Sequence, residues 1–284
     1  MTKLSAKIIT KLHLSVSAVL IASMLFGGCG RGMTKILKNP DPEYKLRIAE
    51  QYFVKKKYNK AQQLFEDIIP NFKTGKEYED IYYKYAYCAW YQQDYLNAEN
   101  LFKGYLQLFP NSSRAEEIDF MRAKCFYKQS PKPELDQTNT IKAMGMMQTF
   151  INTHPGSERN KEANEVIDEC RIKLETKDFK SAKLYYDLGQ FRAAGVAYSA
   201  LLNSYPESQK GDEYKLMIIR SYFKFAELSV EEKKPERFEQ VISECNEFED
   251  RFPESKLKKE VEQFLNLSQT NIKNLSNEQT KTPA

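Results

Sequence analysis

Apolar and polar residues alternate along most of this chain with the period of an amphipathic helix. Ala98, Phe102 and Tyr105 are four and three residues apart, which places them on one helical face. A small residue followed by two large ones recurs at the same spacing in four other sets: Ala61, Phe65 and Ile68; Ala143, Met147 and Phe150; Ala194, Tyr198 and Leu201; Val241, Cys245 and Phe248. Small residues let a second helix approach closely, and large ones fill the adjacent groove. The pattern predicts an all-α chain.

Four copies of a short turn motif separate these helices: Phe109–Ser112, His154–Ser157, Tyr205–Ser208 and Phe252–Ser255. Proline disfavours helical backbone at the residue before it, so the preceding helix ends there. The serine two residues after the proline can accept a hydrogen bond from a backbone N–H where the next helix starts. The prolines are 45, 51 and 47 residues apart. A repeat of this length indicates a helical solenoid.

The combined spacings predict a superhelical solenoid of about five helical hairpins, each resembling a tetratricopeptide (TPR) repeat. We assign 43–160 to N-terminal repeats and 161–267 to C-terminal repeats. Insertions are expected at 129–139 and 227–236, with one long helix across the junction of repeats three and four. The polar segment 268–284 lacks periodicity, and we predict that it is disordered.

The first 28 residues have the composition of an export signal. Lysines at 3, 7 and 11 precede an apolar run from Leu12 to Phe26, and two glycines precede Cys29. This run is shorter than the roughly 20 residues that span a bilayer. Leu25 to Cys29 resembles a bacterial lipobox, which implies cleavage after residue 28, diacylglycerol and an N-acyl chain on Cys29, and a tether over 29–42. A plain signal peptide or an anchor helix is the alternative.

The net charge and the spacing of the cysteines restrict the classes of function that are possible. The net charge of +4 falls to +1 once the three leader lysines are removed, which gives no electrostatic footprint for nucleic acid. Lys55–Lys57 is interpreted as a solvated helix end. The remaining cysteines (Cys88, Cys125, Cys170 and Cys245) show no metal-site spacing. They are expected to pack in the core, with disulfides as the alternative.

The sequence carries no catalytic or cofactor-binding motif that we recognise. Of two histidines, His13 lies in the leader and His154 in a turn motif. We therefore predict a non-enzymatic protein with no cofactor and no metal.

Stacked helical hairpins offer a concave binding surface. In a TPR register, aromatic residues of the first helices fall on this surface, and such side chains are common at interfaces. The candidate peptide-binding residues are Phe53, Tyr83, Tyr87, Trp90, Tyr91, Phe120 and Tyr127. Packing against the neighbouring repeat is the alternative for several of them.

The lipobox, the five repeats and the segment from Lys177 to Pro206 together resemble the BamD (ComL/YfiO) family. This resemblance implies a component of the outer-membrane β-barrel assembly complex, anchored by lipid at the periplasmic face of the outer membrane. It also implies two partners: a BamA-like β-barrel protein bound by the C-terminal half, and unfolded outer-membrane proteins received by the N-terminal repeats.

Three other interpretations remain open. One is a lipidated TPR adaptor of cell-envelope or division complexes. Another is the non-catalytic superhelix of a cell-wall enzyme, for which we find no catalytic domain. A third is a nutrient-capture lipoprotein of the TPR type, although such proteins are usually longer.

Overall fold

The computed structural model describes residues 29–279, whose regular structure is entirely helical. A short 3₁₀ turn spans Glu231–Lys233. The α-helices are α1 (Cys29–Leu37), α2 (Pro42–Val54), α3 (Tyr58–Phe72), α4 (Tyr78–Tyr91), α5 (Tyr95–Leu108), α6 (Ala115–Lys128), α7 (Thr138–Thr153), α8 (Asn160–Asp187), α9 (Phe191–Ser204), α10 (Gly211–Glu227), α11 (Lys234–Arg251) and α12 (Lys258–Gln279).

The predicted all-α repeat of helical hairpins is confirmed. Helices α2 to α11 form five consecutive pairs, and helices adjacent along the chain pack together, as α2 does on α3 and α10 on α11. The small residues of the second helices are fully buried: Ala61, Ala98, Ala143, Ala194 and Val241. Close approach of two helix backbones is what such residues permit.

The four turn serines perform the predicted role. The Oγ of Ser112 accepts from the N–H of Arg114 at 3.0 Å, and that of Ser255 accepts from Leu257 at 3.1 Å. Ser157 and Ser208 make the equivalent bonds, to the N–H groups of Arg159 and Lys210. Each hydroxyl thus satisfies a donor that the restarting helix leaves free.

The chain divides into two compact units. The first comprises 29–129 and 145–163 of the described residues, and the second comprises 130–144 and 164–279. Both α7 and α8 contribute to each unit. As predicted, α8 is one long helix of 28 residues, and an irregular insertion lies between α6 and α7. It belongs to the second unit, where Lys173 donates to the Ser130 hydroxyl at 2.6 Å and Lys177 to the Leu135 carbonyl at 2.7 Å.

The four cysteines of the repeats lie inside the helical core. Cys88, Cys125, Cys170 and Cys245 are buried and free. Burial raises the pKa of the Cys88 thiol to about 12. These thiols pack as small apolar groups, as the sequence indicated.

Both ends of the described chain are more ordered than the sequence suggested. The predicted disordered tail from 268 is wrong as far as Gln279, because α12 continues to that residue. Ser268 is buried and donates to the Phe264 carbonyl at 2.8 Å, and Ile272 and Leu275 pack on the core of the second unit. In the predicted tether, α1 buries Met33 against the first hairpin.

Candidate functional site

Cys29, the predicted lipidation site, is the first described residue and begins α1. Most of the lipobox and the whole leader fall within 1–28, outside the described residues. Lipidation therefore remains a prediction. Among the helices between residues 29 and 279, none has the length and apolar character needed to cross a membrane.

Aromatic residues of α2, α3 and α4 form a continuous set of ring contacts. We call Phe53, Tyr58, Tyr83, Tyr87 and Tyr91 the aromatic array. Tyr91 stacks on Tyr58 with centroids 4.5 Å apart, and Phe53 meets both edge to face at 5.6 and 6.3 Å. Tyr87 extends the set, with centroids 5.7 Å from Tyr91 and 4.6 Å from Tyr83.

This array follows from the sequence of α4. Tyr83, Tyr87 and Tyr91 are spaced four residues apart, so they line one face of the helix. Lys56, in the left-handed backbone region at φ 56°, lies in the turn that brings Tyr58 of α3 back beside Phe53 of α2. Aromatic pairs in tilted or edge-to-face geometry contribute about 0.5–1.5 kcal/mol beyond their buried area.

A carboxylate of α6 accepts hydrogen bonds from Tyr83 and Tyr87. The Tyr83 hydroxyl donates to Glu117 Oε1 at 2.9 Å, and the Tyr87 hydroxyl donates to the same oxygen. Burial and the bond to Glu117 raise the pKa of Tyr83 to about 12. The same two causes raise the pKa of Tyr87 further. Both phenols are therefore neutral donors at physiological pH.

Two arginines lie at the edge of this polar group. The Arg114 guanidinium lies 4.4 Å from the centroid of the Tyr83 ring, and its Nη1 donates to Asp80 at 3.0 Å. Arg159 Nη2 is 3.9 Å from Glu117 Oε2. The array thus combines an apolar surface with arginines that are paired with carboxylates at one side.

Four of the seven predicted residues come together in the array, namely Phe53, Tyr83, Tyr87 and Tyr91. The other three lie elsewhere. Trp90 turns to α5 and meets Tyr95 edge to face at 5.0 Å. Phe120 packs on Phe150 of α7 at 5.4 Å. Tyr127 lies near the end of α6, with the Lys128 ammonium 5.5 Å from its ring centroid.

Exposure separates the predicted residues into two roles. The side chain of Tyr91 is 48% exposed, whereas Tyr87 is 6% and Phe120 3% exposed. Phe53 and Tyr83 are half-buried. Tyr87 therefore supports the array from beneath, and Phe120 belongs to the core around Phe150. Tyr91 with the edges of Phe53 and Tyr83 forms the part that a ligand can reach.

Sequence reasoning missed Tyr58 and Glu117. The sequence places Tyr58 at the turn between the two helices of the first repeat, and a turn position gives no sign that its ring stacks on Tyr91. Glu117 has no motif, because its role depends on a contact with residues 30 and 34 positions away. An acidic residue in the first turn of α6 was the sole available signal.

The array presents side chains suited to the recognition of a partner. Within residues 29–279, no group of three or more His, Cys, Asp or Glu side chains is arranged to hold a metal ion. Neutral phenols, an engaged carboxylate and exposed rings can contact an apolar side chain and a polar backbone together.

The helical repeats match the model of a known protein family. The family model for YfiO, described as an outer membrane lipoprotein, matches residues 41–225. The chain belongs to the YfiO family of outer membrane lipoproteins. The matched region contains the complete aromatic array and four of the five hairpins.

Two relatives of this YfiO family member have low sequence identity to it, but the alignments cover most of each chain. It is 25% identical over 264 residues to a candidate outer membrane protein assembly factor BamD of Aquifex aeolicus, covering 91% of this chain and 84% of that protein. It is 20% identical over 215 residues to the outer membrane protein assembly factor BamD of Caulobacter vibrioides, covering 73% and 69%.

Among solved structures, the TPR2AB domain of yeast Sti1 in complex with pHSP90 matches with a TM-score of 0.37 and 9% identity. The match covers 80% of this chain and 98% of that chain. Our fold assignment depends on the helical pairs of the chain itself.

Proposed function

We propose that this protein is an outer-membrane protein assembly factor that acts as a lipid-anchored scaffold. The observation that carries the proposal is the YfiO family match over 41–225, joined by two relatives named as BamD assembly factors. In this proposal Cys29 is acylated, and the helical repeats lie at the periplasmic face of the outer membrane.

The first unit is proposed to receive unfolded outer-membrane proteins. Such chains present extended segments that alternate apolar and polar side chains. The exposed ring of Tyr91 and the half-buried ring of Phe53 provide an apolar contact surface. Arg114 beside Tyr83 can offer guanidinium N–H groups other than the Nη1 that is bonded to Asp80 to a backbone carbonyl or a terminal carboxylate.

The second unit is proposed to bind a BamA-like β-barrel protein. Its surface carries exposed apolar residues at and just after the end of α8, since Leu184 is 57% and Leu188 64% exposed. Exposed apolar groups of this kind are frequent at protein interfaces. Val196 of α9 is 57% exposed and adds a further apolar group on the same unit.

The partner is tested by purifying the full chain from detergent-extracted membranes and identifying co-purifying proteins by mass spectrometry. We expect a large β-barrel protein in near-equal amount, and its loss from a Leu184→Glu/Leu188→Glu variant. An Ile172→Glu variant is the matched control, since Ile172 is comparably exposed at 60% on the same helix. Recovery of division or cell-wall proteins without a barrel would instead identify an envelope adaptor.

The anchor is tested on the same membranes by metabolic labelling with a fatty-acid analogue. We expect label on the wild-type protein and none on Cys29→Ser, which should also stay uncleaved. Label that persists on Cys29→Ser would overturn acylation at this residue. The four buried cysteines are the internal control, because their burial shields them from acylation.

A further inference from the structure

The charge of this chain is unevenly distributed around the proposed anchor. Residues 29–60 contain nine Lys or Arg and three Asp or Glu, a net charge of +6. Residues 61–284 contain 31 basic and 36 acidic residues, a net charge of −5. The near-neutral total therefore conceals a basic segment next to Cys29.

Helix α1 packs on the first hairpin, formed by α2 and α3. Met33 is buried, and Ile36 and Leu37 pack against the core of the first unit. Lys35 and Lys38 are exposed. Because Met33 follows Cys29 by four residues, or about 6 Å of helix, an acyl chain on Cys29 would hold the first hairpin beside the bilayer.

The turn between α2 and α3 carries the densest positive charge of this hairpin. Lys55, Lys56 and Lys57 are exposed, and none lies within ion-pair distance of a carboxylate in the described part of the chain. Two of the four acidic groups in α2 and α3 are engaged with other lysines. Glu50 is bound by Lys84 at 2.8 Å and Asp67 by Lys45 at 2.6 Å.

The three exposed lysines lie in a turn with an unusual backbone conformation. Lys56 has a φ of 56°, in a backbone region that residues other than glycine seldom adopt. Val54, next to the run, is 79% exposed. An apolar residue beside several lysines is the composition of a segment that contacts a bilayer interface.

We propose that Val54–Lys57, together with Lys35 and Lys38, binds the anionic headgroups of membrane lipids. This contact rests on the proposed function, since it uses the anchor at Cys29 to bring the hairpin to the surface. A polybasic segment is a recognised second signal beside a lipid chain, and its attraction for anionic lipid acts within a Debye length of the surface. The occupant is a phospholipid surface, because exposed cations beside an exposed apolar residue match an anionic headgroup layer, and the proposed anchor belongs to a helix that packs on the same hairpin.

The test uses the full chain, extracted from membranes and reconstituted into two kinds of nanodisc. One contains phosphatidylcholine alone, and the other contains about 30% phosphatidylglycerol, a fraction chosen to resemble an anionic leaflet. A water-soluble amine reagent then labels the lysines, and mass spectrometry reports the rate at each. The intact mass of the same sample reports whether Cys29 carries acyl chains.

We expect labelling of Lys55, Lys56 and Lys57 to slow on the order of fivefold in the anionic discs, and to recover at high salt because screening weakens the contact. Lys256 and Lys259 are exposed in the second unit and serve as internal controls. Equal rates in the two discs, on acylated protein, would overturn the lipid contact and leave the anchor intact. Slowed labelling on unmodified Cys29 would support the contact and overturn the proposed anchor.

A second measurement guards against a labelling artefact. Amide hydrogen exchange across 52–60 should slow in the anionic discs for the wild-type chain. The Lys55→Gln/Lys56→Gln/Lys57→Gln variant should lose this protection. The matched Lys256→Gln/Lys258→Gln/Lys259→Gln variant removes the same charge elsewhere and should keep it. Protection that survives in the first variant would contradict the proposal.

Discussion

The hydroxyl of Ser112 donates to Glu79 Oε1 at 2.6 Å, which joins a turn serine to a helix that begins 34 residues earlier. The same relationship recurs in every turn motif. Ser157 donates to Glu116, Ser208 to Glu175, and Ser255 to Asp212 at 2.6 Å. Each serine therefore accepts from the restarting helix and donates to the first helix of its own hairpin, which fixes the turn at both sides.

Removing one such hydroxyl should weaken the fold. We expect Ser112→Ala to lower the free energy of unfolding by about 1–2 kcal/mol, because a helix-start acceptor and a bond to a carboxylate are both lost. Ser113→Ala is the matched control, since Ser113 is exposed. Urea unfolding of both variants measures the difference. Equal stabilities would show that the turn does not depend on the hydroxyl.

The same bond predicts a pH dependence. Donation from Ser112, and then from Tyr105, holds the pKa of Glu79 below its ordinary value of 4.5. A carboxyl whose pKa is lower in the folded state stabilises the fold above 4.5, and this contribution is lost as the pH falls through the folded pKa. We therefore expect wild-type stability to decline more than that of Glu79→Gln between pH 5 and about pH 3. Parallel urea midpoints across this range would contradict the assignment.

Two glycines should respond in opposite directions to alanine. A Cβ on buried Gly195 would lie 2.6 Å from Cε1 of the Tyr222 ring, whereas one on Gly145 meets nothing within 4 Å. Gly195→Ala should destabilise by about 1–3 kcal/mol through overpacking. Gly145→Ala should stabilise by up to about 1 kcal/mol through helix propensity. Thermal unfolding measures the stability of both variants relative to the wild type. Unchanged stability of Gly195→Ala would show that the Tyr222 ring can move away.

Three turns place a residue in the left-handed region after the first helix of a hairpin: Lys56, Gln93 and Gly189. Glycine adopts this conformation without a Cβ clash. Gln93→Gly should thus gain about 0.5–1 kcal/mol of stability, and Gly189→Ala should lose about 1 kcal/mol. Chemical denaturation measures both. A loss of stability in Gln93→Gly would mean that contacts of the side chain outweigh backbone strain.

The aromatic array predicts a substrate phenotype distinct from a folding defect. Tyr91→Ala should weaken binding of a synthetic peptide with a C-terminal aromatic residue about tenfold, because it removes the exposed ring. Tyr185→Ala is the control, since Tyr185 in the second unit is similarly exposed, at 46% against 48%. Fluorescence anisotropy with labelled peptide gives the affinities. An equal loss in both variants would argue against a site at the array.

The sequence predicted more of the fold than of the site. Spacings of three and four residues and the proline turns are local signals, so they fixed the hairpins, the long α8 and the insertion before α7. The stripe on α4 was also predictable, because Tyr83, Tyr87 and Tyr91 share one helical face. Trp90 was placed with them, although its ring turns to Tyr95.

What the sequence alone determined is the repeat, because helix period, helix ends and serine turns depend on neighbours a few residues away. What only the tertiary structure decided is which of the aromatic side chains remain accessible to a ligand. Tyr87 and Tyr91 are one turn apart on α4, yet packing from α5 and the hydroxyl acceptor Glu117 bury the first and leave the second exposed. The tail differs for the same reason, since α12 is held by Ile272 and Leu275 against a core built from distant helices. Burial is a property of the assembled repeats, and no local pattern contains it.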